Sequence, residues 1–409
     1  MTMRLAFFTP LSPQQTALAD YGEGLALGLA SQPDVTVDLF VSDAVQPDNP
    51  AITRQFRIES YRAFEPRADQ YDLRLYSMGD QADYHGHMFD LLKRHPGVVI
   101  LNDLVLHRCV LQQALKQQDL SLYLNELELA YGWRDPYLID QIRAGLGEFA
   151  ILDYPLFEGV VDRSLGVIVQ NQYARHKILA KRPQAKVACI PYPFFMPPNF
   201  PQVDLAAARA EVRAQLGWAD QLIIGTFGIF VPSKHLDACL TAFARLVREF
   251  PNAKYLLGGA PIQGYDLAGQ IRSLGLDQHV IVTGWKPPWE FVRYMLALDI
   301  GIHLRYPHIG GTPYTPIRLM GLGACTITSE IEPLAELPTG ACIKIAPDGY
   351  QAATLTALLT RLAHEPVLRQ QISTNGQRFI AAQHGLDQIA RRTFDFVRLN
   401  SALAHARPA

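Results

Sequence analysis

Hydrophobic residues along this chain of 409 residues follow two patterns that alternate. Short, nearly continuous apolar runs are typical of parallel strands buried on both faces, and the longer segments between them carry apolar residues at helical spacing. Because strands and helices alternate in both halves, we predict an α/β protein with two doubly wound, Rossmann-like parallel sheets. The predicted strands are residues 5–8, 35–41, 73–76, 98–101, 166–169 and 187–190 in the first half and residues 222–226, 255–258, 280–283, 300–304, 325–328 and 342–345 in the second.

A proline-rich segment separates the two halves. Residues 191–201 include five prolines, which regular helices and strands do not accommodate. We therefore predict a first domain over residues 1–195 and a second over residues 196–385, facing each other across a cleft. Residues 386–409 follow the last predicted strand as a helix that we expect to pack back on the first domain. Because α/β folds bind ligands at the carboxyl ends of their strands, the cleft is the expected site.

Composition and charge exclude several partners and compartments. The formal net charge is −2, which gives no basic surface for a nucleic acid. No apolar run reaches the length of a membrane span, and the apolar N-terminal run is too short for a signal peptide, so we expect a cytoplasmic protein. The five cysteines include no C-x-x-C pair and are expected to be reduced. His85 and His87 lack a third ligand at a recognised spacing, so we expect a surface loop there rather than a metal site.

The most informative segment, residues 225–234 (GTFGIFVPSK), joins a predicted strand to a predicted helix. Gly228 lets the backbone approach an anion, the start of a helix points N–H groups at it, and the ammonium group of Lys234 adds a positive charge. The segment is therefore suited to holding a phosphate group. Taken alone, it is explained better by an ordinary strand–helix turn with a solvated lysine.

A second turn of similar build follows the fourth predicted strand of the second half. It contains Gly310 and Gly311, and either Thr312 or Thr315 is suited to capping the helix that follows. The N-terminus of that helix would be a second anion site facing the same cleft as Lys234. A conventionally capped loop explains this segment equally well by itself, but the two turns together predict a pocket for a diphosphate.

Familiar signatures of other enzyme classes are absent from the sequence. It has no G-x-x-x-x-G-K-[ST] motif, no G-x-G-x-x-G motif after the first strand and no G-x-S-x-G motif. These absences disfavour a P-loop enzyme, a Rossmann dehydrogenase and a serine hydrolase. No Asp-x-Asp pair is present either, so we expect neither a metal site nor a cofactor.

Several motifs occur in the order and spacing of one known family. Residues 227–234 are FGIFVPSK, residues 283–285 are TGW, residues 297–307 are ALDIGIHLRYP, and residues 335–338 are AELP. These motifs resemble those of retaining, nucleotide-sugar-dependent glycosyltransferases of the GT-B fold, family 4 type (glycosyl transferases group 1). In the first half, Asp20 lies in a segment similar to the family's P-x-x-S-G-I-A-D-Y loop. Asp103 lies where the family has V-V-L-H-D.

The resemblance implies a division of roles between the two domains. The second domain would bind a UDP- or GDP-type sugar donor, and the first a carbohydrate, lipid or small-molecule acceptor, with a peripheral membrane contact left open. Lys234 would neutralise the departing diphosphate without a metal ion, and no protein nucleophile is implied. The candidate catalytic residues are Lys234, Asp103 and Asp20. The candidate donor-binding residues are Gly228, Lys234, Trp285, Arg305, His308, Gly310, Gly311, Thr312, Tyr314, Arg318 and Glu336.

The sequence also departs from the family pattern at charged positions. Ile229 stands where the family has an arginine, Gly311 where it has an acidic residue, and Asn102 where it has a histidine. Arg305 or Arg318 could supply the missing guanidinium group. These changes leave open a catalytically degenerate GT-B protein that only binds or acts as a scaffold, and, as a weaker alternative, an epimerase or phosphorylase.

Structural explanations remain open for several of the candidate residues. Asp20 and Asp103 could each cap a helix, and Glu336 could cap a short one. Trp285 could cover the end of the second sheet. For Tyr314, a position in a loop after a strand favours contact with a ligand.

Overall fold

The structure, a computed structural model, describes residues 2–43, 45–132, 136–144, 148–198, 200 and 204–405. Two residues of the predicted linker, Asn199 and Pro201, therefore lie outside the described residues, as do residues 406–409 of the predicted tail. The chain forms two compact units. The first unit comprises Met1–Pro193, Ile309–Thr312 and Leu386–Ala409, and the second comprises Phe194–His308 and Pro313–Gly385.

Thirteen strands are present in the described part of the chain. They are β1 (Met3–Phe8), β2 (Val35–Val41), β3 (Arg57–Ser60), β4 (Leu73–Met78), β5 (Val98–Leu101), β6 (Gly166–Val169), β7 (Val187–Cys189), β8 (Ile223–Phe227), β9 (Lys254–Gly258), β10 (Val280–Val282), β11 (Ile300–His303), β12 (Cys325–Ser329) and β13 (Ile343–Ile345).

The α-helices of the described residues lie between these strands and after them. They are α1 (Ala17–Ala30), α2 (Pro50–Thr53), α3 (Ala82–Arg94), α4 (His107–Lys116), α5 (Leu120–Tyr131), α6 (Pro136–Arg143), α7 (Glu148–Asp153), α8 (Glu158–Arg163), α9 (Gln172–Lys181), α10 (Leu205–Gln215), α11 (Leu236–Glu249), α12 (Leu267–Ser273), α13 (Pro288–Leu296), α14 (Tyr314–Gly321), α15 (Gln351–His364), α16 (Pro366–Gln383) and α17 (Leu386–His405).

Each unit is built on one parallel sheet. In the described residues, the first sheet has the order β3-β2-β1-β4-β5-β6-β7 and the second has the order β10-β9-β8-β11-β12-β13. Every strand pair in both sheets is parallel. The predicted pair of doubly wound parallel sheets is confirmed, and all of the predicted strands overlap observed ones.

One strand, β3, was not predicted. Its sequence is RIES, and all four residues are half-buried or exposed. It lies at the edge of the first sheet beside β2, where charged side chains reach solvent. An edge strand of this kind has no continuous apolar run, so the hydrophobic pattern does not reveal it.

The second sheet is covered by apolar side chains on both faces. One buried cluster includes Ile300 and Ile302 of β11 together with residues of α11 and α15. The other includes Leu319 of α14 with residues of α10 and α13. Alternate residues of a strand point to opposite faces, and Gly301 lies directly against Leu319. Both faces of the sheet are therefore covered, and the loops that follow β8 and β11 carry candidate residues.

The last helix, α17, packs on the first unit. Gly28 of α1 permits close approach, because a Cβ atom there would lie 2.9 Å from the Cβ atom of Ala390. The guanidinium group of Arg392 donates a hydrogen bond to the carbonyl oxygen of Cys189 over 2.8 Å. The chain therefore returns to the unit in which it began after completing the second sheet.

Two local expectations were wrong. His85 and His87 lie on α3 and not in a surface loop, and the ring of His85 is buried with its Nδ1 atom 3.0 Å from the carbonyl oxygen of Ser77. Helix α14 begins at Tyr314 with Pro313 as its N-cap residue, so neither Thr312 nor Thr315 caps it. Thr312 instead accepts a hydrogen bond from another loop, described below.

Candidate functional site

The turn after β8 is shaped around the side chain of Lys234. Gly228 has a positive φ of 106°, and a Cβ atom at this position would lie 2.5 Å from the ammonium nitrogen of Lys234. Glycine therefore serves both the backbone conformation and the close approach. The 3₁₀ turn Pro232–Lys234 then brings Lys234 back toward the end of the strand, where its ammonium group donates a hydrogen bond to the carbonyl oxygen of Phe227 over 2.7 Å.

Lys234 is a buried cation. Only 6% of the residue is exposed, and no carboxylate within the described residues pairs with it. Burial, and next the positive charge of Arg305, lower the pKa of Lys234 to about 7. Because desolvation disfavours the charged form, this ammonium group would be stabilised by an anion that enters the site.

The loop after β11 is fastened to the turn that carries Lys234. The backbone N–H of Tyr306 donates to the carbonyl oxygen of Ser233 over 2.8 Å, and the Nε2 atom of His235 lies 2.9 Å from the carbonyl oxygen of Tyr306. The backbone N–H of Arg305 donates to the hydroxyl oxygen of Ser329 at the end of β12 over 2.9 Å. These bonds hold Arg305 close enough to Lys234 to influence its ionisation.

The last residue of β11 adds a third basic group. His303 is buried, and burial together with Lys234 and Arg305 holds its pKa well below the ordinary value. We refer to Lys234, His303 and Arg305 as the basic cluster. His303 was not among the predicted site residues, because it ends an apolar run and is part of a predicted strand. The signal that could have found it is its position at the carboxyl end of a parallel strand, directly before a loop with candidate residues.

Other predicted donor-binding residues lie in loops of the second unit. Gly284 has a φ of 69°, and Trp285 beside it is 40% exposed. The Nε2 atom of His308 lies 2.9 Å from a carboxylate oxygen of Glu332. Glu336 is exposed, and it follows the 3₁₀ turn Glu332–Leu334 rather than capping a helix.

Arg318 is held inside the second unit by aromatic rings. Its guanidinium carbon lies 4.4 Å from the ring centre of Tyr314 and 5.9 Å from that of Phe195. Burial lowers the pKa of Arg318 to about 9. Cation–π contacts stabilise such a group, so Tyr314 and Arg318 act together in packing. Tyr314 is itself buried. Its contact with a ligand stays a prediction.

The second predicted turn packs with the first unit. The backbone N–H groups of Leu104 and Val105 both donate to the carbonyl oxygen of Ile309 over 3.0 Å. The side-chain amide of Asn171 donates to the carbonyl oxygen of Gly310 over 3.1 Å and to the hydroxyl oxygen of Thr312 over 2.9 Å. Residues 309–312 thus belong to the first unit, whereas the predicted boundaries place residues 196–385 in one domain.

The glycines of this turn are required by the loop after β5. A Cβ atom at Gly310, where φ is 81°, would lie 2.5 Å from the Cβ atom of Leu104. A Cβ atom at Gly311 would collide with the carbonyl oxygen of Asn102 and lie 2.9 Å from a carboxylate oxygen of Asp103. No side chain fits at position 311 without a shift of backbone, which explains in physical terms why the family's acidic residue is missing.

The first unit carries a pair of carboxyl groups at the ends of neighbouring strands. Asp80 follows β4 and Asp103 follows β5. A carboxylate oxygen of Asp103 accepts the backbone N–H of Asp80 over 3.1 Å, and one of Asp80 accepts that of Cys109 over 3.3 Å. Burial, and then the charge of Asp103, raise the pKa of Asp80 to about 8. We call Asp80 and Asp103 the carboxyl pair; Asp80 was not predicted as a site residue.

Neither predicted catalytic aspartate is a helix N-cap. Asp103 precedes α4, whose N-cap residue is Leu106, and Asp20 is buried within the first turn of α1, whose N-cap residue is Thr16. The capping explanation for both residues is therefore wrong. Their roles as substrate contacts stay predictions.

Two kinds of feature are absent from the described residues. No helix among them is both long enough and apolar enough to span a membrane. No group of three or more His, Cys, Asp or Glu residues among them could hold a metal ion.

Comparison with known proteins relates the chain to one family. A family model, glycosyl transferases group 1, matches residues 208–379. A curated relative, alpha-D-kanosaminyltransferase of Streptomyces kanamyceticus, is 24% identical over 198 residues, which are 47% of this chain and 50% of the relative. The aligned part of the chain thus spans about half the length of that relative.

Solved structures with the same fold cover nearly the whole chain. Anabaena HepE in complex with UDP and glucose has a TM-score of 0.65 at 15% identity, covering 96% of this chain and 98% of its own. WaaG, a glycosyltransferase involved in lipopolysaccharide biosynthesis, has a TM-score of 0.66 at 14% identity, covering 96% of this chain and 99% of its own. At these identities the likeness shows the fold.

Proposed function

We propose that this protein with a GT-B fold is a retaining glycosyltransferase of the glycosyl transferases group 1 family, with a nucleotide-diphosphate sugar as donor. In the proposed reaction, the bond between the anomeric carbon and the donor phosphate breaks, and its electron pair leaves with the nucleoside diphosphate. The acceptor oxygen forms the new bond to the anomeric carbon, and the acceptor hydroxyl releases its proton.

The observation that carries this proposal is the basic cluster. A buried ammonium group with a pKa of about 7, next to Arg305, is costly for the unliganded fold. A diphosphate supplies the negative charges that offset this cost. Its electrostatic stabilisation by Lys234 is strongest when the diphosphate leaves, because its negative charge then increases. Lys234 would therefore stabilise the leaving group electrostatically, which is the role that needs no metal ion.

The donor base is assigned to Trp285 as part of the same proposal. Trp285, exposed after a turn at Gly284, offers an aromatic face beside the end of β10 for contact with the base. That HepE was solved with UDP and glucose makes UDP-sugars the first donors to test.

The acceptor is assigned to the first unit. A carboxyl pair in which Asp80 retains a proton near neutral pH can both donate and accept hydrogen bonds, which suits an acceptor hydroxyl group. Asp103 would be the second member of the pair that orients this hydroxyl. The identity of the acceptor does not enter this assignment.

The test is calorimetric titration of the purified protein with UDP-glucose, UDP-N-acetylglucosamine and GDP-mannose. We expect one of them to bind, and to be hydrolysed slowly without an acceptor because water replaces it. Proton NMR of the first-formed sugar product should show the anomeric configuration of the donor. Absence of binding by a folded sample would contradict the proposal. Binding without any turnover across an acceptor panel would favour the degenerate alternative.

A further inference from the structure

His303 has an unusual environment for a buried histidine. Only 3% of it is exposed, and neither ring nitrogen has a hydrogen-bond partner within the described residues, although its carbonyl oxygen accepts the hydroxyl of Thr328 over 3.0 Å. Leaving buried polar atoms unpaired costs free energy. The fold avoids this cost at His107, whose two ring nitrogens lie 2.6 Å from the carbonyl oxygen of Tyr154 and 2.7 Å from the hydroxyl of Tyr123.

The groups around His303 repel a proton from it. The ionisable groups that act on it are Lys234, after β8, and Arg305, after its own strand, and both are basic. The neighbouring strand β12 contributes the hydroxyl groups of Thr328 and Ser329, which bond to the backbone of the β11 segment. No carboxylate within the described part of the chain pairs with Lys234 or His303. The imidazole ring is therefore neutral in the unliganded protein.

Binding of an anion would favour the protonated form of His303. A diphosphate presents several acceptor oxygens, and its negative charge offsets the field of Lys234 and Arg305 at the imidazole ring. A neutral ring donates one hydrogen bond, whereas the imidazolium form donates two and carries a charge. Both unpaired nitrogens make the ring suited to a ligand that supplies acceptors.

We propose that His303 is a phosphate-binding residue of the donor site, and that it takes up a proton from solvent as the donor binds. The inference rests on the proposed function, since the diphosphate is the anion in question. It assigns a role to a residue that the site prediction did not include. It also makes donor binding and protonation reciprocal, so that donor affinity falls as the pH rises.

Calorimetry in buffers of different ionisation enthalpy counts the protons taken up. The probe is whichever of UDP-glucose, UDP-N-acetylglucosamine and GDP-mannose binds, because a diphosphate esterified at both ends has no ionisation of its own near neutral pH. At about pH 6 Lys234 is already mostly charged, so proton uptake there reports on His303. We expect between about half a proton and one proton per donor bound.

Two substitutions separate hydrogen bonding from protonation. His303→Asn keeps a donor and an acceptor but cannot titrate, so proton uptake should vanish while affinity falls only a few-fold. His303→Leu removes both, and we expect affinity to fall by about 10- to 100-fold. His364→Asn, at an exposed histidine of the same unit, is the control that should leave both quantities unchanged.

The outcomes distinguish this inference from the proposed function. If a donor binds but wild-type protein takes up no proton at about pH 6, or His303→Asn takes up as many as wild type, the inference is overturned while the function stands. If no donor binds, both fall. Should the variants fail to fold, carbon-13 NMR of histidine-labelled wild-type protein decides. One ring signal must shift to the imidazolium position on addition of the donor, and its absence overturns the inference.

Discussion

Each of the two units contains a doubly wound parallel sheet, yet the loops after their strands carry opposite kinds of ionisable group, acidic in the first unit and basic in the second. In the first unit, the loops after β4 and β5 present the carboxyl pair, and burial raises the pKa of Asp80 to about 8. In the second unit, the loops after β8 and β11 present the basic cluster, and burial lowers the pKa of Lys234 to about 7. In each unit, burial shifts the group toward its uncharged form.

The two sheets are alike, so a few residues at the ends of their strands determine which kind of ligand each unit can bind. A basic cluster is suited to an anionic donor, and a carboxyl pair in which Asp80 retains a proton is suited to a neutral hydroxyl. If the proposed function is correct, the two units bind the two substrates for these opposite reasons. Substitutions that remove one charge should therefore have effects that depend on the unit in which they lie.

The largest effect is expected from removing the ammonium group of the basic cluster. Lys234→Met keeps the length and apolar stem of the side chain but cannot offset charge on the departing diphosphate. We expect donor turnover to fall by about 10²- to 10³-fold, as when one preorganised electrostatic group is removed from other enzymes. The measurement is initial-rate kinetics of donor consumption.

Lys254→Met is the matched control for this prediction. Its ammonium group also donates to a backbone carbonyl, that of Gln278, over 2.9 Å, but Lys254 begins β9 and so lies at the opposite end of the sheet. Turnover by this variant should be close to wild type. Equal losses in the two variants would show that the basic cluster has no special part in turnover.

The next effect concerns the turn that packs on the carboxyl pair. Gly311→Ala places a Cβ atom against the carbonyl oxygen of Asn102, which is backbone and cannot move aside cheaply. Overpacking of this kind should lower the free energy of unfolding by about 1–3 kcal/mol, measured by urea denaturation. Gly349→Ala, where a new Cβ atom would meet nothing within 4 Å, is the control.

The same geometry predicts that the family's acidic residue cannot be restored here. Gly311→Glu should be no more active than wild type, and less stable than Gly311→Ala. A gain in turnover on this substitution would indicate that the loop after β5 moves away from Gly311. The contact between Gly311 and Asn102 would then be present in only some conformations of the loop after β5.

A smaller effect, of opposite pH dependence in the two units, tests the charges themselves. The raised pKa of Asp80 means that its ionisation opposes folding, a cost that is absent below about pH 4 and complete above about pH 8. The lowered pKa of Lys234 means that its protonation opposes folding, a cost that is complete below about pH 7 and absent above about pH 10.5.

Replacing Asp80 or Lys234 by an uncharged residue removes the corresponding free-energy cost of folding. Asp80→Asn should therefore stabilise the protein by about 1–3 kcal/mol at pH 8 but hardly at pH 4, whereas the gain from Lys234→Met should shrink as the pH rises from 7 to 10. Urea denaturation of both variants and wild type at four pH values gives the two curves. If the stability gains of the two variants changed in the same direction with pH, the assignment of a buried acidic group to Asp80 and a buried basic group to Lys234 would be refuted.

How far the sequence predicts this molecule differs between fold and site. Strands such as β5 (VVIL) and β6 (GVIV) are fully buried, so their apolar runs appear directly in the sequence. The edge strand β3 carries polar residues and was missed. The parallel direction of the strands within each sheet followed from the alternation of strands and helices.

The site was predicted only where a local motif carries it. Gly228 and Lys234 were predicted because a glycine turn precedes a lysine within one strand–helix connection. His303 and Asp80 were missed because their roles depend on residues that only the fold brings near them, Lys234 for His303 and Asp103 for Asp80. The packing of residues 309–312 with the first unit is likewise a tertiary fact, with no signature in the segment itself.

The smallest expected effect is that of removing divalent ions. If Lys234 and Arg305 offset the charge of the departing diphosphate, a metal ion has nothing further to contribute, and donor turnover should be unchanged in excess EDTA. Lys234→Met sharpens this prediction, because the same assay with added Mg²⁺ asks whether an external cation can replace the lost ammonium group. Partial recovery in the variant alone would locate the charge requirement at Lys234. A wild-type rate that collapses with EDTA and returns with Mg²⁺ would instead assign that requirement to a bound ion, and the contrast between the two units would lose its catalytic meaning.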